Sequence, residues 1–320
     1  MCPVQCGCGF VVLTALICLL VSGADSQERA YRTAGGSLLC PLVEDFYSYK
    51  RSTSYGPSRW GEISECCQGQ RQSPRDLASS SGSLCGGGQH HMFSYNSSRA
   101  LPGKLYNNGH DPTISFHGSN TAYLFNAPHT NGAYILDNIH IHFCTNAKGS
   151  EHAIDGQFYQ GEIHLVHYKA SYGTLAKAVQ QEDGLVVVGI MLQSRAGYAG
   201  DMNQELVKII QRMGNLEGTG KEYQLPVQLN VARIFPKSTN FYTYEGSMTS
   251  PPCSESVRWI IFREPVNVSS AEMDILRRLP NEDRSSTVQS CNDRPLQTGH
   301  TRVETNFACS SVTNMAAEEI

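Results

Sequence analysis

Tyr134–Phe143 reads YILDNIHIHF and Gly161–Tyr168 reads GEIHLVHY. Both runs alternate apolar with polar residues, the period of a half-buried strand. In a strand, side chains i and i+2 share one face at a spacing of about 7 Å. His140 and His142 therefore point the same way, and antiparallel pairing of the two runs brings His164 beside them. Three neutral imidazoles around one open position is the arrangement of a catalytic zinc, whereas a structural zinc is closed by four protein ligands. An HxH pair arises readily by chance in a chain with 11 His, so the surroundings decide. Glu162 lies two residues before His164, on the same strand face, where its carboxylate can take the second ring N–H and fix the tautomer. Asn138 stands in the same relation to His140 and offers an amide oxygen. His152 and His167 read as ordinary hydrogen-bonded core histidines.

Outward from these runs, Leu185–Leu192 (LVVVGIML) is continuously apolar and reads as a buried central strand, and Val257–Phe262 (VRWIIF) as another. Helix is scarce. Leu206, Val207, Ile210 and Met213 follow helical spacing within Asp201–Met213, and Ser269-x-x-Glu272 forms a capping box ahead of Met273, Ile275 and Leu276. Ser79–Gly88 (SSSGSLCGGG) reads as a surface loop. The sum is a mostly β (α+β) fold with a few surface helices and no internal repeat. The chain has 320 residues, 40% hydrophobic, enough for a substantial core and too apolar for disorder. Charged residues make up 17% and the formal charge is −4, which argues against nucleic acid as a partner.

Phe10–Val21 (FVVLTALICLLV) is an apolar run too short to span a bilayer, followed by small residues and then Asp25. Residues 1–24 are expected to be a secretory signal peptide, with a signal anchor as the other reading. No second run approaches the ~18 apolar residues of a spanning helix, and the polar C-terminus SSVTNMAAEEI carries no lipid-anchor or retention signal. A soluble, secreted protein is expected, with an N-terminal arm over 25–54, a domain over 55–300 and a tail over 301–320. Eight cysteines follow the leader: Cys40, Cys66, Cys67, Cys85, Cys144, Cys253, Cys291 and Cys309. An even number without a CxxC motif points to disulfides in an oxidising compartment, and spacing alone fixes none of the pairings. Asn96 and Asn267 begin glycosylation sequons.

Several segments, in order, carry a resemblance to a known family. They are Tyr55-Gly-Pro…Trp60-Gly, Gln72-Ser-Pro, Asn107-Asn-Gly-His110, His140-x-His142, Ser150-Glu-His-x-Ile-Asp-Gly156, Glu162-x-His164-x-Val-His167, Asp183-Gly-Leu-x-Val-x-Gly189, Tyr242-Thr-Tyr-x-Gly-Ser-x-Thr249-Ser-Pro-Pro252 and Asn292-Asp-Arg-Pro-Leu-Gln297. Over Tyr55–Gln297 the sequence resembles an alpha-class carbonic anhydrase of the secreted type. The resemblance implies a large, twisted, mainly antiparallel central sheet with Zn(2+) at the base of a cone-shaped cavity. His140, His142 and His164 match the zinc ligands, with Glu162, Asn138 and Asn292 behind them. It implies that zinc-bound hydroxide attacks CO₂ to give bicarbonate and a proton. Thr249 matches the residue that accepts from the hydroxide and donates to Glu151. Ser250, Val166, Val187, Met248 and Trp259 match positions around the substrate, Met248 standing where leucine is more usual, a nearly volume-conserving change. His110 matches the proton shuttle, and Tyr55 and Asn108 the polar residues that order its waters.

Cys67 and Cys253 match the disulfide of secreted members, which would pin the loop carrying Thr249. Phe143-Cys144 departs from the family's usual Trp-Gly. Asn138 replaces the usual glutamine, one methylene longer, so its hydrogen bond to His140 is expected to be longer or lost. The partners implied are CO₂, bicarbonate and sulfonamide inhibitors that bind zinc, with no nucleic acid and no membrane anchor. Two other classes compete: an acatalytic module on the same fold requires a broken ligand set, and a mineral-matrix protein would carry long acidic or Gly-Asn insertions. The sequence shows neither feature.

Overall fold

In the computed structural model the two histidine-bearing runs are adjacent strands of one large sheet. The structure describes residues 30–43, 47–84, 93–96, 101–116, 122–144, 148–194, 202–216, 220–225, 229–280 and 291–307. The expected signal peptide, Cys85, Cys309 and most of the expected tail lie outside the described residues. The strands that build the site are β1 (Lys104–Asn107), β2 (Pro112–Ser115), β3 (Ala133–Phe143), β4 (Gly161–Lys169), β5 (Leu185–Ser194), β6 (Glu222–Gln224), β7 (Phe241–Gly246), β8 (Val257–Phe262) and β9 (Glu304–Thr305). Their order is β6-β1-β2-β3-β4-β5-β8-β7-β9, within a sheet of 13 strands among the described residues. Pairing along this order is antiparallel except between β5 and β8, so the sheet is mixed rather than uniformly antiparallel. A parallel neighbour requires a long crossover, and the chain between Ser194 and Val257 supplies one.

Alternation divides the side chains of this sheet into two layers. Ile139, Ile141, Phe143, Ile163, Leu165, Val186, Val188, Ile190 and Ile260 point to one face. Helices α1 (Gln204–Met213) and α2 (Ser270–Arg277) cover that face with Leu206, Ile209, Ile210, Met213, Met273 and Leu276. Helix α1 begins three residues after the expected start at Asp201, because Asn203 caps it by accepting from Leu206 N at 3.0 Å. The capping box before α2 forms as read from the sequence. The opposite face carries Val166, Val187, Trp259, Ile261 and Tyr244 together with the three histidines. Part of the expected Ser79–Gly88 loop joins the sheet edge, where Gly82–Ser83 pairs with β9.

Residues of the expected arm pack onto the domain. Tyr31–Arg32 pairs with Leu38–Leu39, Leu38 N donates to Glu255 Oε2 at 2.7 Å, and Cys40 is joined to Cys66. Cys67 is joined to Cys253 with a Cα–Cα distance of 4.8 Å, and Cys144 to Cys291. The first pairing places the neighbouring Cys66 and Cys67 in separate bridges. A bridge that closes a long loop typically contributes about 2–4 kcal/mol. No helix among the described residues is long and apolar enough to cross a membrane. Asn96 ends an exposed edge strand, while Asn267 is half-buried between Val266 and Val268.

Candidate metal centre

Register assembles the histidines. His140 stands opposite His164 and His142 opposite Glu162 across the β3–β4 pair. Ring centroids lie 5.0 Å apart for His140–His142, 5.2 Å for His140–His164 and 4.6 Å for His142–His164. One nitrogen from each ring can be drawn from a set lying within 4.8 Å of one another. The remaining ring nitrogens are already engaged. His140 Nδ1 pairs with Asn138 Oδ1 at 2.9 Å, His142 Nδ1 with the Asn292 carbonyl at 2.6 Å, and His164 Nε2 with Glu162 Oε1 at 2.8 Å. The shorter Asn138 thus keeps the hydrogen bond that its missing methylene put in question.

These contacts leave His140 Nε2, His142 Nε2 and His164 Nδ1 for a metal. His142 Nε2 is buried without a hydrogen-bond partner, an otherwise costly condition that a cation relieves. The donor set therefore fits a zinc ion. Burial, assisted by the neighbouring imidazoles, holds His140 well below the usual histidine pKa. Burial also takes His164 down to about 4 against the opposing pull of Glu162, so both rings are neutral near pH 7. Burial lowers His142 too, but Glu151, Asp111 and the Asn292 carbonyl outweigh it, and the net shift is upward.

Glu162 is the anchor of this arrangement. Its Oε2 accepts from the backbone N–H of Glu151 at 3.0 Å and of His152 at 2.8 Å. Its Oε1 accepts from His164 and from His152 Nδ1 at 2.7 Å. Burial pushes this carboxyl up, yet His152 and His164 hold it well below the usual carboxylate range. Gly189, opposite His164 on β5, makes room: a Cβ there would meet Glu162 Oε1 at 2.8 Å and Ile261 Cδ1 at 2.5 Å.

Glu151 adjoins His142 and His164 and is hydrogen-bonded to the Thr249 side chain. Glu151 is fully buried, with Oε1 accepting from Arg294 N at 2.9 Å and Oε2 lying 3.4 Å from His142 Nε2. Burial lifts its pKa to about 7, against the lowering effects of His142, the Thr249 hydroxyl and Arg294 N. Val166, Val187 and Trp259 stand side by side on β4, β5 and β8, with Met248 packed against them. Ser250 follows Thr249, and its carbonyl accepts from Cys253 N at 2.8 Å in the bridged loop.

Other expected positions differ. Tyr55 is 51% exposed, and its carbonyl accepts from Trp60 Nε1 at 3.0 Å. Tyr47 and Tyr49 stand beside His110, the ring of Tyr49 lying 6.3 Å from both His110 and His142. Asn108 is exposed and braces a turn, its Oδ1 accepting from His110 N and Asp111 N, each at 2.8 Å. His110 is only 3% exposed and stacks on Tyr47 at 3.9 Å. His167 is the core histidine its setting suggested, paired with Val186 O and Tyr95 OH. His152 is more than that: it joins Glu162 to Tyr244 OH at 2.7 Å, and Tyr244 donates to Ser73 Oγ at 2.8 Å. The Ser150–Gly156 and Tyr242–Pro252 segments already held His152 and Tyr244, but nothing in their spacing joins them.

A profile of the eukaryotic-type carbonic anhydrases matches residues 55–307. Human carbonic anhydrase 7 is 33% identical over 246 residues, covering 76% of this chain and 90% of the human protein. A match of this extent, on a sheet that brings three imidazoles to one point, places the chain in the eukaryotic-type carbonic anhydrase family, enzymes that hydrate carbon dioxide with zinc.

Proposed function

We propose that His140, His142 and His164 hold Zn(2+), and that Thr249, Glu151 and His110 serve the reversible hydration of CO₂ to bicarbonate and a proton. The observation that carries this reading is the division of the three rings: each engages one nitrogen outward and keeps the other for the metal. Zinc, when bound, lowers the pKa of a water ligand to about 7 and so supplies a hydroxide nucleophile at neutral pH, a value taken from this enzyme class itself. The protein does the rest. Glu151 accepts from the Thr249 hydroxyl, whose lone pair then favours ligands that bring a proton. The wall of Val166, Val187, Met248 and Trp259 suits a substrate without a dipole. Asn138, Asn292 and Glu162 fix the three tautomers.

The test is zinc content together with a CO₂ hydration assay run with and without an aromatic sulfonamide. Zinc near one per chain with sulfonamide-sensitive hydration is expected; a folded protein that takes up no zinc defeats the assignment. We read His110 as the group that exports the proton and Tyr49, rather than Tyr55, as its polar neighbour. His110→Ala should lower kcat in dilute buffer by up to about 10²-fold while leaving kcat/KM nearly unchanged, and added imidazole should restore much of the loss. An unchanged kcat removes the role. Residues 1–24 as a secretory leader and glycans at Asn96 and Asn267 belong to the same reading, which the three disulfides among the described residues support; the domain itself runs past the expected residue 300, because β9 (Glu304–Thr305) pairs with β7 in its sheet. N-terminal sequencing and glycopeptide mapping of the protein from culture medium check the leader and the glycans.

A further inference from the structure

His142 is the one proposed ligand whose outer acceptor comes from far along the chain. That acceptor, the Asn292 carbonyl, lies in a stretch with no regular secondary structure. The stretch is tied to the end of β3 by reciprocal bonds: Asn292 N donates to Phe143 O at 3.1 Å, and Phe143 N donates to Asn292 Oδ1 at 2.7 Å. Asn292 Nδ2 donates to Ile141 O at 3.0 Å. Two residues on, Arg294 N donates to Glu151 Oε1. The same short segment thus orients a ligand and the carboxylate that serves Thr249. Directly beside these bonds, the residue after Phe143 and the residue before Asn292 are joined as Cys144–Cys291.

We propose that the Cys144–Cys291 disulfide is a positioning element of the metal centre, holding the Asn292 carbonyl on His142 Nδ1. The proposal rests on the metal reading above. Backbone hydrogen bonds in an irregular segment open locally at small cost, and each opening frees His142 to rotate or change tautomer. A covalent link one residue away keeps the two backbones at bonding distance. Partners of this outer kind are worth roughly 10–100-fold in metal affinity. Cys40–Cys66 joins the arm to the residues before Gln72 and touches no ligand, so it serves as the control.

The experiment measures zinc affinity by competition with a chelator, and the visible spectrum of the cobalt(II)-substituted protein. The variants are Cys144→Ala/Cys291→Ala and Cys40→Ala/Cys66→Ala. The first should bind zinc 10–100-fold more weakly, with an altered cobalt spectrum; the control should match the wild type in both. Equal affinity in all three proteins, or equal loss in both variants, overturns the proposal. A wild type that binds no zinc defeats the metal reading instead. Should the first variant fail to fold, the zinc-loaded wild type is treated with dithiothreitol, which gives two electrons and two protons to each cystine and closes to its own cyclic disulfide. Alkylation and mass mapping then follow each bridge. Zinc release should keep pace with the opening of Cys144–Cys291; release that tracks another bridge, or none, overturns the proposal.

Discussion

His142→Ala is expected to lose zinc on dialysis and to reduce CO₂ hydration to the uncatalysed background. Of the three rings, His142 is the most constrained. It is 1% exposed, held from behind by Asn292 and faced by Glu151 Oε2 at 3.4 Å. Its removal leaves two imidazoles, too few for a tetrahedral site with one open position. It also leaves the buried Asn292 carbonyl and Glu151 without a partner on that side, so the loss should exceed the 10–100-fold that follows removal of an outer contact. Metal analysis after dialysis and stopped-flow hydration check it. A variant that keeps one zinc and turns over normally shows that the ligands are other residues. A fold defect alone would lower the melting temperature of His142→Ala but leave zinc bound to the fraction that remains folded.

The histidine strands were legible because polar and apolar residues alternate around the histidines, over Asn138–Phe143 and Glu162–Leu165, whereas the register shift after Val166 left no mark in the pattern. The buried strands β5 and β8 were legible as apolar runs, continuous in β5 and broken only by Arg258 in β8, but the parallel pairing between them was not, since no local pattern records strand direction. Tyr49 escaped for a different reason. It lies in a polar stretch without periodicity, and it reaches the site through packing on Trp60, in a cluster with Cys253 and Cys67 that no local pattern records. His152 was visible as a buried histidine, but its role depends on two side chains, Glu162 and Tyr244, from separate strands. Asn138 shows the converse. Its i, i+2 relation to His140 lets a shorter side chain reach the ring without help from any distant contact.

Glu162→Ala should be the most destabilising substitution behind the site. The carboxylate takes four hydrogen bonds, two from backbone N–H groups and two from imidazoles, all in a setting without solvent. Alanine leaves all four donors unsatisfied, and removing one member of such a buried charged group costs about 3–5 kcal/mol. The Glu151–His152 turn loses its backbone acceptor in the same change, so Glu151 should drift from Thr249 and hydration should fall along with stability. Glu162→Gln separates the two effects. The amide fits the space that Gly189 leaves and retains one oxygen, but its NH₂ must confront either the two backbone donors or the two rings. The glutamine variant should fold, with a smaller loss of stability than alanine, and bind zinc roughly 10–100-fold more weakly because His164 is no longer held in one tautomer. Denaturant melts of both variants and chelator competition on Glu162→Gln read out the two effects. A glutamine variant with wild-type zinc affinity would show that Glu162 supports the fold and leaves His164 to orient itself, and an alanine variant as stable as the wild type would deny even that.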